Sequence, residues 1–513
     1  MGGKKKKGLA WCIISLLIPV VLSGCAGEQG EETERPEIVW VLREADEALY
    51  NNLEGIKKIE EATGVDITFR LMTDDEYNYM IAFGDYPDVM VSNLYTGEVL
   101  ELYDRGIILE LTDLIMEDSV YLKQIYGEHP DIYKETQTND GKLIYFPSLN
   151  PLEDAEDFYR SSFSGLLMRQ DWLKRLDLEI PETIAEWHQV LTAFRDGDPN
   201  GNGRADEIPF DDNRLWVFAS AFGVLDGFYI TPEGRVAYGC MEDGYRDYLT
   251  MMNQWYEEGL IGRAAITGST KWSEANIIGN ISGSFYGLDN AWRYYLPSLR
   301  EVEERAELAA VPVPKAADGV SYCNVNRVST HVRDQVTVIT SDCSDPQAAL
   351  KVIDYMYSEE GSALLTWGIE GVTYEVLPDG GRVLLPEALE IADSGYLKLH
   401  HVAIGHSAFP KYDGETVLLQ TYPKEQLTAE MVWADCDTSM LWPANILFSA
   451  EDRKRVNSLM ANIEAYVTEQ KTAFITGEQP MDTYEDFRKT LRAMQIDEVL
   501  RIYQENYDVY LKK

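Results

Sequence analysis

The chain has 513 residues, 45% of them hydrophobic, and its 87 Asp and Glu against 45 Lys and Arg give a formal net charge of −42. This length exceeds what one compact core serves, so we expect two lobes or two domains. The acidic balance excludes nucleic acid as an expected partner, because phosphate binding needs a basic surface that displaces counterions.

The first residues have the layout of a secretory signal peptide. Residues 4–7 are four lysines, and residues 8–22 carry no charged side chain. This uncharged run is shorter than the roughly 20 residues that a bilayer-spanning helix needs. We therefore predict that residues 1–24 are a signal peptide and not a permanent transmembrane helix.

The run ends in Leu22-Ser23-Gly24-Cys25, which resembles the lipobox of bacterial lipoproteins, where the cysteine becomes the first mature residue and carries the lipid. The alternative is an ordinary secretory signal with a coincidental cysteine. Residues 25–36 are rich in Gly and Glu, as suits a hydrated tether. We expect a protein held on the extracellular face of the cell membrane by a lipid on Cys25.

Four further cysteines lie in the predicted mature chain, and their spacing contains no CxxC pair: Cys240, Cys323, Cys343 and Cys436. The spacing thus indicates neither a zinc site nor a redox motif. One or two disulfides and buried unpaired thiols both remain open for an exported protein.

The mature chain opens with a βαβ pattern. Residues 37–42 and 65–72 have the pattern of strands, and residues 47–62 between them that of an amphipathic helix. A third apolar strand at 87–92 and a helical stretch at 96–105 continue this order. It predicts a mostly parallel sheet with right-handed crossovers, and so an α/β lobe.

The chain then changes pattern twice. Turn residues at 140–151 precede a helical region from Gln170, which indicates a crossing to a second lobe. Strand-like residues 311–314 and 335–340 flank another irregular stretch, which indicates a return to the first lobe. Helical patterns follow at 346–366, 452–475 and 484–507. We assign residues 37–150 and 335–400 to lobe one, and residues 151–334 and 401–513, helix-rich α/β, to lobe two.

One loop carries metal-ligand chemistry: Asp198-Pro199-Asn200-Gly201-Asn202-Gly203-Arg204-Ala205-Asp206-Glu207. Side-chain oxygens stand at alternate positions with Gly at the sixth, as calcium requires of a tightly curled loop. Pro209 occupies the place of the closing EF-hand glutamate, so Asp206 and Glu207 would complete the shell. The alternative is a plain Gly/Asn/Asp turn. We expect a structural calcium, because strict alternation plus an acidic pair exceeds what a turn needs.

Several short runs, in this order and spacing, resemble the family 1 extracellular solute-binding proteins of ABC transporters. Within that family they are similar to the long lipoproteins that include the alginate-binding proteins. The runs include Arg169-Gln170-Asp171-Trp172-Leu173, Pro181-Glu182-Thr183, Glu186-Trp187, Asp206-Glu207-Ile208-Pro209 and Trp367-Gly368-Ile369-Glu370-Gly371.

The resemblance implies a two-lobed α/β fold of the periplasmic-binding-protein type (type II), with a ligand cleft between lobes joined by hinge segments. It implies a protein that captures a carbohydrate, an oligosaccharide in our expectation, and delivers it to two ABC permease subunits served by a cytoplasmic ATPase. It also implies calcium binding by the matching positions: Asp198, Asn200, Asn202, the Arg204 carbonyl, Asp206 and Glu207.

Sugar sites pair aromatic platforms with Asp, Asn and Arg side chains. Asp289, Trp292 and Arg293 lie together in a turn-rich stretch and are our first ligand candidates. Asn93 and Tyr95 follow the carboxyl end of a predicted strand, where open α/β sheets place ligands. The other candidates are tryptophans near loops: Trp216, Trp367 and Trp442. Tryptophans at helical spacing are expected in the core instead: Trp172, Trp187 and Trp255.

A secreted glycosidase is the main alternative, because aromatics and paired carboxylates also describe its cleft. No GxSxG, HExxH or phosphate-binding loop occurs in the chain, so we expect no enzyme. A surface lipoprotein that senses a sugar or adheres to cells is a third hypothesis. We expect a neutral oligosaccharide, because a uronic-acid polymer wants several cleft cations and only Arg293 and Arg214 suggest themselves.

Overall fold

The computed structural model describes residues 35–43, 50–94, 97–149, 164–263, 266, 270–323, 331–392, 409–412, 420, 422–443 and 446–513. By its contacts the chain divides into residues 1–35 and residues 36–513. The predicted signal peptide, lipobox and nearly all of the tether, with Cys25, lie outside the described residues, as does Tyr95. Within the described ranges, no helix has the length and apolar character to cross a membrane.

The β-strands are β1 (Glu37–Arg43), β2 (Asp66–Met72), β3 (Val89–Asn93), β4 (Phe146–Leu149), β5 (Ser164–Arg169), β6 (Phe228–Ile230), β7 (Val236–Tyr238), β8 (Ser284–Leu288), β9 (Leu308–Val311), β10 (Val332–Ile339), β11 (Tyr374–Val376), β12 (Arg382–Leu384) and β13 (Lys411–Tyr412). The α-helices are α1 (Glu54–Thr63), α2 (Asp74–Phe83), α3 (Glu98–Asp104), α4 (Tyr121–Glu128), α5 (Pro130–Thr136), α6 (Gln170–Leu176), α7 (Ile184–Asp196), α8 (Asp243–Glu257), α9 (Thr270–Ile278), α10 (Ala291–Tyr294), α11 (Leu296–Val302), α12 (Pro346–Met356), α13 (Glu359–Thr366), α14 (Pro386–Ala392), α15 (Lys424–Ala434), α16 (Ala450–Thr476), α17 (Tyr484–Ala493) and α18 (Ile496–Tyr510).

Lobe one is built around a sheet whose described strands have the order β13-β4-β10-β3-β1-β2. Strand β1 pairs in parallel with both β2 and β3, as the βαβ pattern predicts. Strand β10 differs from the mostly parallel expectation, because it runs antiparallel to β3 and β4. The reason is its origin: β10 enters from the other lobe at the edge where β3 and β4 end.

Lobe two contains a three-stranded sheet of order β8-β5-β9 among the described strands, in which both pairings are antiparallel. Its core buries the three tryptophans expected there, Trp172, Trp187 and Trp255. Trp187 and Trp255 both pack edge-on against Phe218. Edge-to-face packing of large rings adds to their area burial, so this cluster anchors α7 and α8 to the rest of the lobe.

Three predicted helices differ in their bounds for local reasons. Helix α1 begins at Glu54, since the Asn51 side chain bonds both backbone groups of Phe69 in β2 and so holds a turn inside the predicted helix 47–62. Residues 47–49 of that prediction lie outside the described residues. The predicted helix at 346–366 is two helices, because Ser358 caps a new one at Gly361 N–H. The helix predicted at 484–507 also divides, at Gln495, whose φ of 72° breaks the helical path.

Within the described residues the chain changes lobe three times, after Leu149, after Cys323 and after Tyr412, and we call these changes the first, second and third passages. All three meet lobe one at the same edge of its sheet. Strand β4 ends at Leu149, β10 begins at Val332 and β13 ends at Tyr412, and these three strands are neighbours. In lobe two, β5 begins at the edge where β8 and β9 end. We call these the passage edges of the two sheets.

One correction concerns the predicted lobe boundaries. Residues 401–513 were all expected in lobe two, but β13 pairs in parallel with β4 in the sheet of lobe one. Phe409 also packs in the core of lobe one, against Trp40 and Phe69. A two-residue strand has too little pattern to be recognised in a sequence.

A disulfide joins Cys323 to Cys436, with 5.1 Å between their Cα atoms. Cys323 is the last described residue before the second passage, and Cys436 follows α15. Backbone bonds from Cys323 N to Asp437 O and from Asp437 N to Ser321 O, 2.7 and 2.8 Å, bind the same two segments. The other described cysteines, Cys240 and Cys343, are free thiols. The disulfide therefore fixes the lobe-two end of the second passage.

Candidate functional site

An arginine–carboxylate pair adjoins the carboxyl end of β8. Arg214 donates from Nε to Asp212 Oδ1 at 2.7 Å and from Nη2 to Oδ2 at 2.6 Å. Nη2 also donates to the Tyr286 carbonyl oxygen at 2.6 Å, and the guanidinium lies 4.5 Å from the centroid of the Tyr286 ring. The Asp212 residue is 3% exposed, whereas Arg214 is half-buried. The bidentate pair fixes the orientation of the Arg214 guanidinium, which remains partly open to solvent.

Trp216 extends the same surface with an aromatic ring. It is half-buried, and its centroid lies 5.5 Å from that of Tyr286. The Tyr286 hydroxyl is 2.9 Å from Ser164 Oγ, at the start of β5. The ring of Trp216 is thus fixed through Tyr286 to the passage edge of lobe two.

Asp289 follows β8 directly and is half-buried. Its Oδ2 accepts a hydrogen bond of 2.9 Å from Nε2 of Gln426, a residue of α15 that is 3% exposed. Leu288, one residue earlier, is 45% exposed. The end of β8 therefore carries a donor, an acceptor and apolar surface, from Arg214, Asp289, Leu288 and Trp216. We call these four residues the β8 cluster.

Two other predicted ligand residues are core residues. Trp292 is 9% exposed, its Nε1 donates to Leu308 O at 3.3 Å, and it packs in a small cluster with Phe285. Trp367 is 2% exposed, with its ring centroid 5.8 Å from that of Tyr374 in lobe one. A buried ring has no face for a sugar, so the structure does not support a ligand role for either tryptophan. Arg293 is half-buried on the short helix α10.

In lobe one, Asn93 ends β3 at the passage edge and is half-buried. Its backbone N–H donates to Glu98 Oε2 at 3.0 Å. Arg43, at the end of β1, pairs with the same carboxylate at 2.6 Å and lies 3.5 Å from the centroid of the Tyr77 ring. Glu98 therefore contacts both residues and neutralises Arg43.

Trp442 lines a cavity of about 390 Å³ that both lobes enclose. Lobe one contributes Leu94 and Gly97, just after β3, and lobe two contributes Phe448, Arg453 and Tyr503 among others. The Trp442 ring is half-buried, with its centroid 4.9 Å from that of Tyr503. The structure thus brings two predicted features together, Trp442 and the chain after the carboxyl end of β3.

The predicted calcium loop follows α7 and curls tightly. Asp198, Gly201 and Gly203 all have positive φ, of 46°, 70° and 73°. Asp198 accepts from Gly203 N–H at 3.1 Å, and the amides of Asn200 and Asn202 donate to Asp206 at 3.1 and 3.0 Å. Among the described residues no three His, Cys, Asp or Glu side chains form a metal-holding group. The side-chain N–H groups of Asn200 and Asn202 point towards Asp206, whereas a bound cation would be coordinated by their side-chain oxygens.

Glu207 shows why this loop suits a cation. Both carboxylate oxygens are buried and neither forms a hydrogen bond of ordinary geometry. Burial raises the pKa of Glu207 and repulsion by Asp198 and Asp206 adds to it, although N–H groups of Glu207 and Asn200 lower it in part. A buried unpaired carboxylate costs several kcal/mol. A calcium ion bound by these residues would remove that cost, so the residues present fit the ion.

A second polar cluster lies at the passage edge of lobe one. His331 precedes β10, and its backbone N–H donates to Glu135 of α5 at 2.9 Å while its Nδ1 lies 3.2 Å from the same carboxylate. Asp131 is 3.5 Å from His331 Nε2. Burial lowers the pKa of His331, but the two carboxylates outweigh it and the net shift is upward. Nearby, the Tyr412 hydroxyl lies 2.9 Å from His129 Nε2.

The sequence predicted Asp289 and Trp216 as ligand candidates, and both belong to the β8 cluster; it did not predict the contacts of Asp212 and Gln426 or the cluster around His331. Nothing in the local sequence around Asp212 and Arg214 reveals that Asp212 is buried or that Arg214 contacts β8. Gln426 lies 137 residues from Asp289 along the chain. No local periodicity reports such a contact.

Comparison with known proteins gives one family match and several similar chains. Residues 50–363 match the model of the bacterial extracellular solute-binding proteins. The fructooligosaccharide ABC transporter substrate-binding protein FusA of Streptococcus pneumoniae is 25% identical over 487 residues, covering 89% of this chain and 86% of that protein.

Two solved structures share the fold. The alginate-binding protein AlgQ2, solved without calcium ion, has a TM-score of 0.69 and 22% identity, covering 93% of this chain and 99% of its own. An HMO-binding, ABC-transporter-associated solute-binding protein of Bifidobacterium longum infantis has a TM-score of 0.74 and 19% identity, covering 94% and 100%. The predicted two-lobed α/β fold is confirmed. Because the family model spans more than half of the chain, the protein belongs to the bacterial extracellular solute-binding protein family.

Proposed function

We propose that the protein captures an oligosaccharide between its lobes and delivers it to an ABC importer. The β8 cluster carries this proposal. A sugar ring has apolar faces and hydroxyls that both donate and accept, so it needs an aromatic ring beside fixed polar groups. Trp216 offers the ring, Arg214 the donor and Asp289 the acceptor, all at the edge where the chain passes between lobes.

Charge pairing favours an uncharged ligand. At the passage edges Arg43 is paired with Glu98, and Arg214 with Asp212, each at 2.6 Å. Asp289 adds a further negative charge at the end of β8. A uronate carboxylate that approached Arg43 or Arg214 would therefore meet a cation that is already neutralised, at the cost of its own desolvation. Neutral sugar hydroxyls carry no such penalty.

The similar proteins are named for both uncharged and charged carbohydrates. FusA is named for fructooligosaccharides and the Bifidobacterium protein for HMO, whereas AlgQ2 is named for the charged polymer alginate. At these identities the ligand of one protein does not transfer to another. The pairing of Arg214 with Asp212 is what leads us to propose the uncharged class.

Calcium and a lipid complete the proposal. Loop 198–207 would hold a structural calcium through Asp198, Asn200, Asn202, the Arg204 carbonyl, Asp206 and Glu207. A lipid on Cys25 would keep the protein at the extracellular face of the membrane, beside two permease subunits with their cytoplasmic ATPase. Two rigid lobes suit two permease subunits, since each lobe offers one surface. In this role the protein binds its ligand without chemical change and is not an enzyme.

The test is calorimetric binding with the chain from residue 26, which retains the whole unit 36–513. The probes are kestose, a fructooligosaccharide; lacto-N-tetraose, an uncharged milk oligosaccharide; and an alginate trisaccharide. Saturable binding of an uncharged probe, recovered uncleaved, supports the proposal. Preference for the alginate fragment contradicts the uncharged class, cleavage of any probe supports the glycosidase alternative, and binding to none overturns the sugar assignment. Permease genes beside this gene would separate import from sensing or adhesion.

A further inference from the structure

Helix α15 is bonded to other segments of lobe two at three points, which lie in its first turn, near its end and two residues after it. In its first turn Gln426 donates to Asp289, and near its end Trp433 Nε1 donates to Leu166 O in β5 at 3.0 Å. Two residues past the helix, Cys436 forms the disulfide with Cys323. Helix α15 therefore connects the β8 cluster with the residue that precedes the second passage, and it begins where the third passage enters lobe two.

The bond from Gln426 decides how Asp289 is presented. The Gln426 Nε2 group donates a hydrogen bond to Oδ2 of Asp289. Within the described ranges no residue donates a hydrogen bond to Oδ1. Because Gln426 is 3% exposed, water does not compete freely with this bond. A fixed donor on one carboxylate oxygen sets the direction in which the other points.

We infer that Gln426 is a positioning residue for solute binding. It aims Asp289 at the ligand and, through α15, ties that carboxylate to the second and third passages between the lobes. The inference rests on the oligosaccharide-binding function proposed above. It assigns to a buried glutamine outside the ligand surface a share of the binding affinity.

The variant Gln426→Glu tests this, with kestose and lacto-N-tetraose as calorimetric probes between about pH 8 and pH 5. At pH 8 two carboxylates would stand about 3 Å apart, so one donor is lost and Asp289 is repelled. We expect affinity to fall by about tenfold or more. Towards pH 5 a shared proton restores a donor, and affinity should recover towards the wild-type value at the same pH. Other ionisable groups lie on α15 and on α10: Lys424, Glu425, Glu430 and Arg293. Comparison with the affinity of the wild type at each pH corrects for their titration.

The matched control is Gln254→Glu. Gln254 also donates Nε2 to a carboxylate, that of Glu258 at 2.7 Å, but this exposed pair lies at the end of α8, where no residue of the β8 cluster takes part in it. The control should bind as the wild type does at every pH, and Gln426→Leu should stay weak at every pH. Unfolding curves verify that each variant is folded. A loss for Gln426→Glu that is equal at all pH values, or no loss, overturns the positioning role, whereas a wild type that binds neither probe overturns the proposed function itself.

Discussion

His331 binds the Glu135 carboxylate through both its backbone N–H and its imidazole, next to the second passage. Its pKa is raised in the folded protein by Glu135 and Asp131, against the effect of burial. The stabilisation is therefore fully present below the unfolded value of about 6.5 and is lost as pH rises through the folded value.

We predict that His331→Gln lowers stability most below about pH 6.5 and progressively less above it. Urea unfolding of wild type and variant between pH 5 and 9 measures the difference. His188→Gln is the control, since His188 pairs with Glu258 on the surface of lobe two. A His331 difference that stays constant with pH would show that the pair does not titrate in this range.

The second prediction concerns Arg214. Replacing it by Ala removes a donor held by Asp212, and leaves that 3%-exposed carboxylate without its cation, although the backbone N–H of residue 214 still donates to it. A hydrogen bond to a charged group is worth about 1.5–3 kcal/mol, so affinity for an uncharged probe should fall about 10- to 100-fold. Calorimetry measures this. Arg455→Ala is the control, since Arg455 forms a similar bidentate pair with Glu498 outside the passage edges. If Arg214→Ala and Arg455→Ala bind the probe with equal affinity, Arg214 is not part of the binding site.

The third prediction concerns Glu207 and calcium. With calcium present, Glu207→Gln should unfold more easily than wild type, because one ligand oxygen loses its charge. With a chelator the order should reverse, since the variant lacks a buried carboxylate repelled by Asp198 and Asp206. Calcium at about 100 times its dissociation constant adds about 2.7 kcal/mol to wild type. Thermal unfolding in both conditions measures the reversal. If neither calcium nor chelator changes the unfolding midpoint of the wild type, the loop binds no calcium and is a plain turn.

The fourth prediction concerns the disulfide between Cys323 and Cys436, which are 113 residues apart in sequence. Closing a loop of about 100 residues contributes up to about 4.7 kcal/mol in the chain-entropy model. The Cys323→Ser, Cys436→Ser double variant should therefore have a clearly lower unfolding free energy in urea. The wild type should lose the same stability in reductant. Cys240→Ala keeps the disulfide and should still respond to reductant, whereas an unresponsive wild type would contradict the bond.

The sequence predicted repeated and local features well. The βαβ opening, the long helix α16 and the tryptophans of the lobe-two core follow from hydrophobic periods that recur over many residues. The curled loop at 198–207 follows from glycines at positions that require positive φ. Each of these signals lies within one short stretch of chain.

Features that depend on distant residues were not predictable. Strand β13 is two residues long, and its partner β4 lies more than 260 residues earlier. Trp292 and Trp367 stand in turn-rich sequence, yet packing from other segments buries both rings. Whether a tryptophan ring is exposed to a ligand or buried in the core therefore depends on segments that are distant in sequence. Local composition therefore misassigned these two ligand candidates.

The position of β10 has a consequence for production of the protein. Strand β10 separates β3 from β4, although it is synthesised more than 180 residues after β4. Until it inserts, β3 and β4 each have an edge with unsatisfied backbone groups, which can pair with another chain. Such distant pairing also folds slowly. Aggregation during overexpression should therefore start at these two strands, and slower synthesis at low temperature should raise the soluble yield.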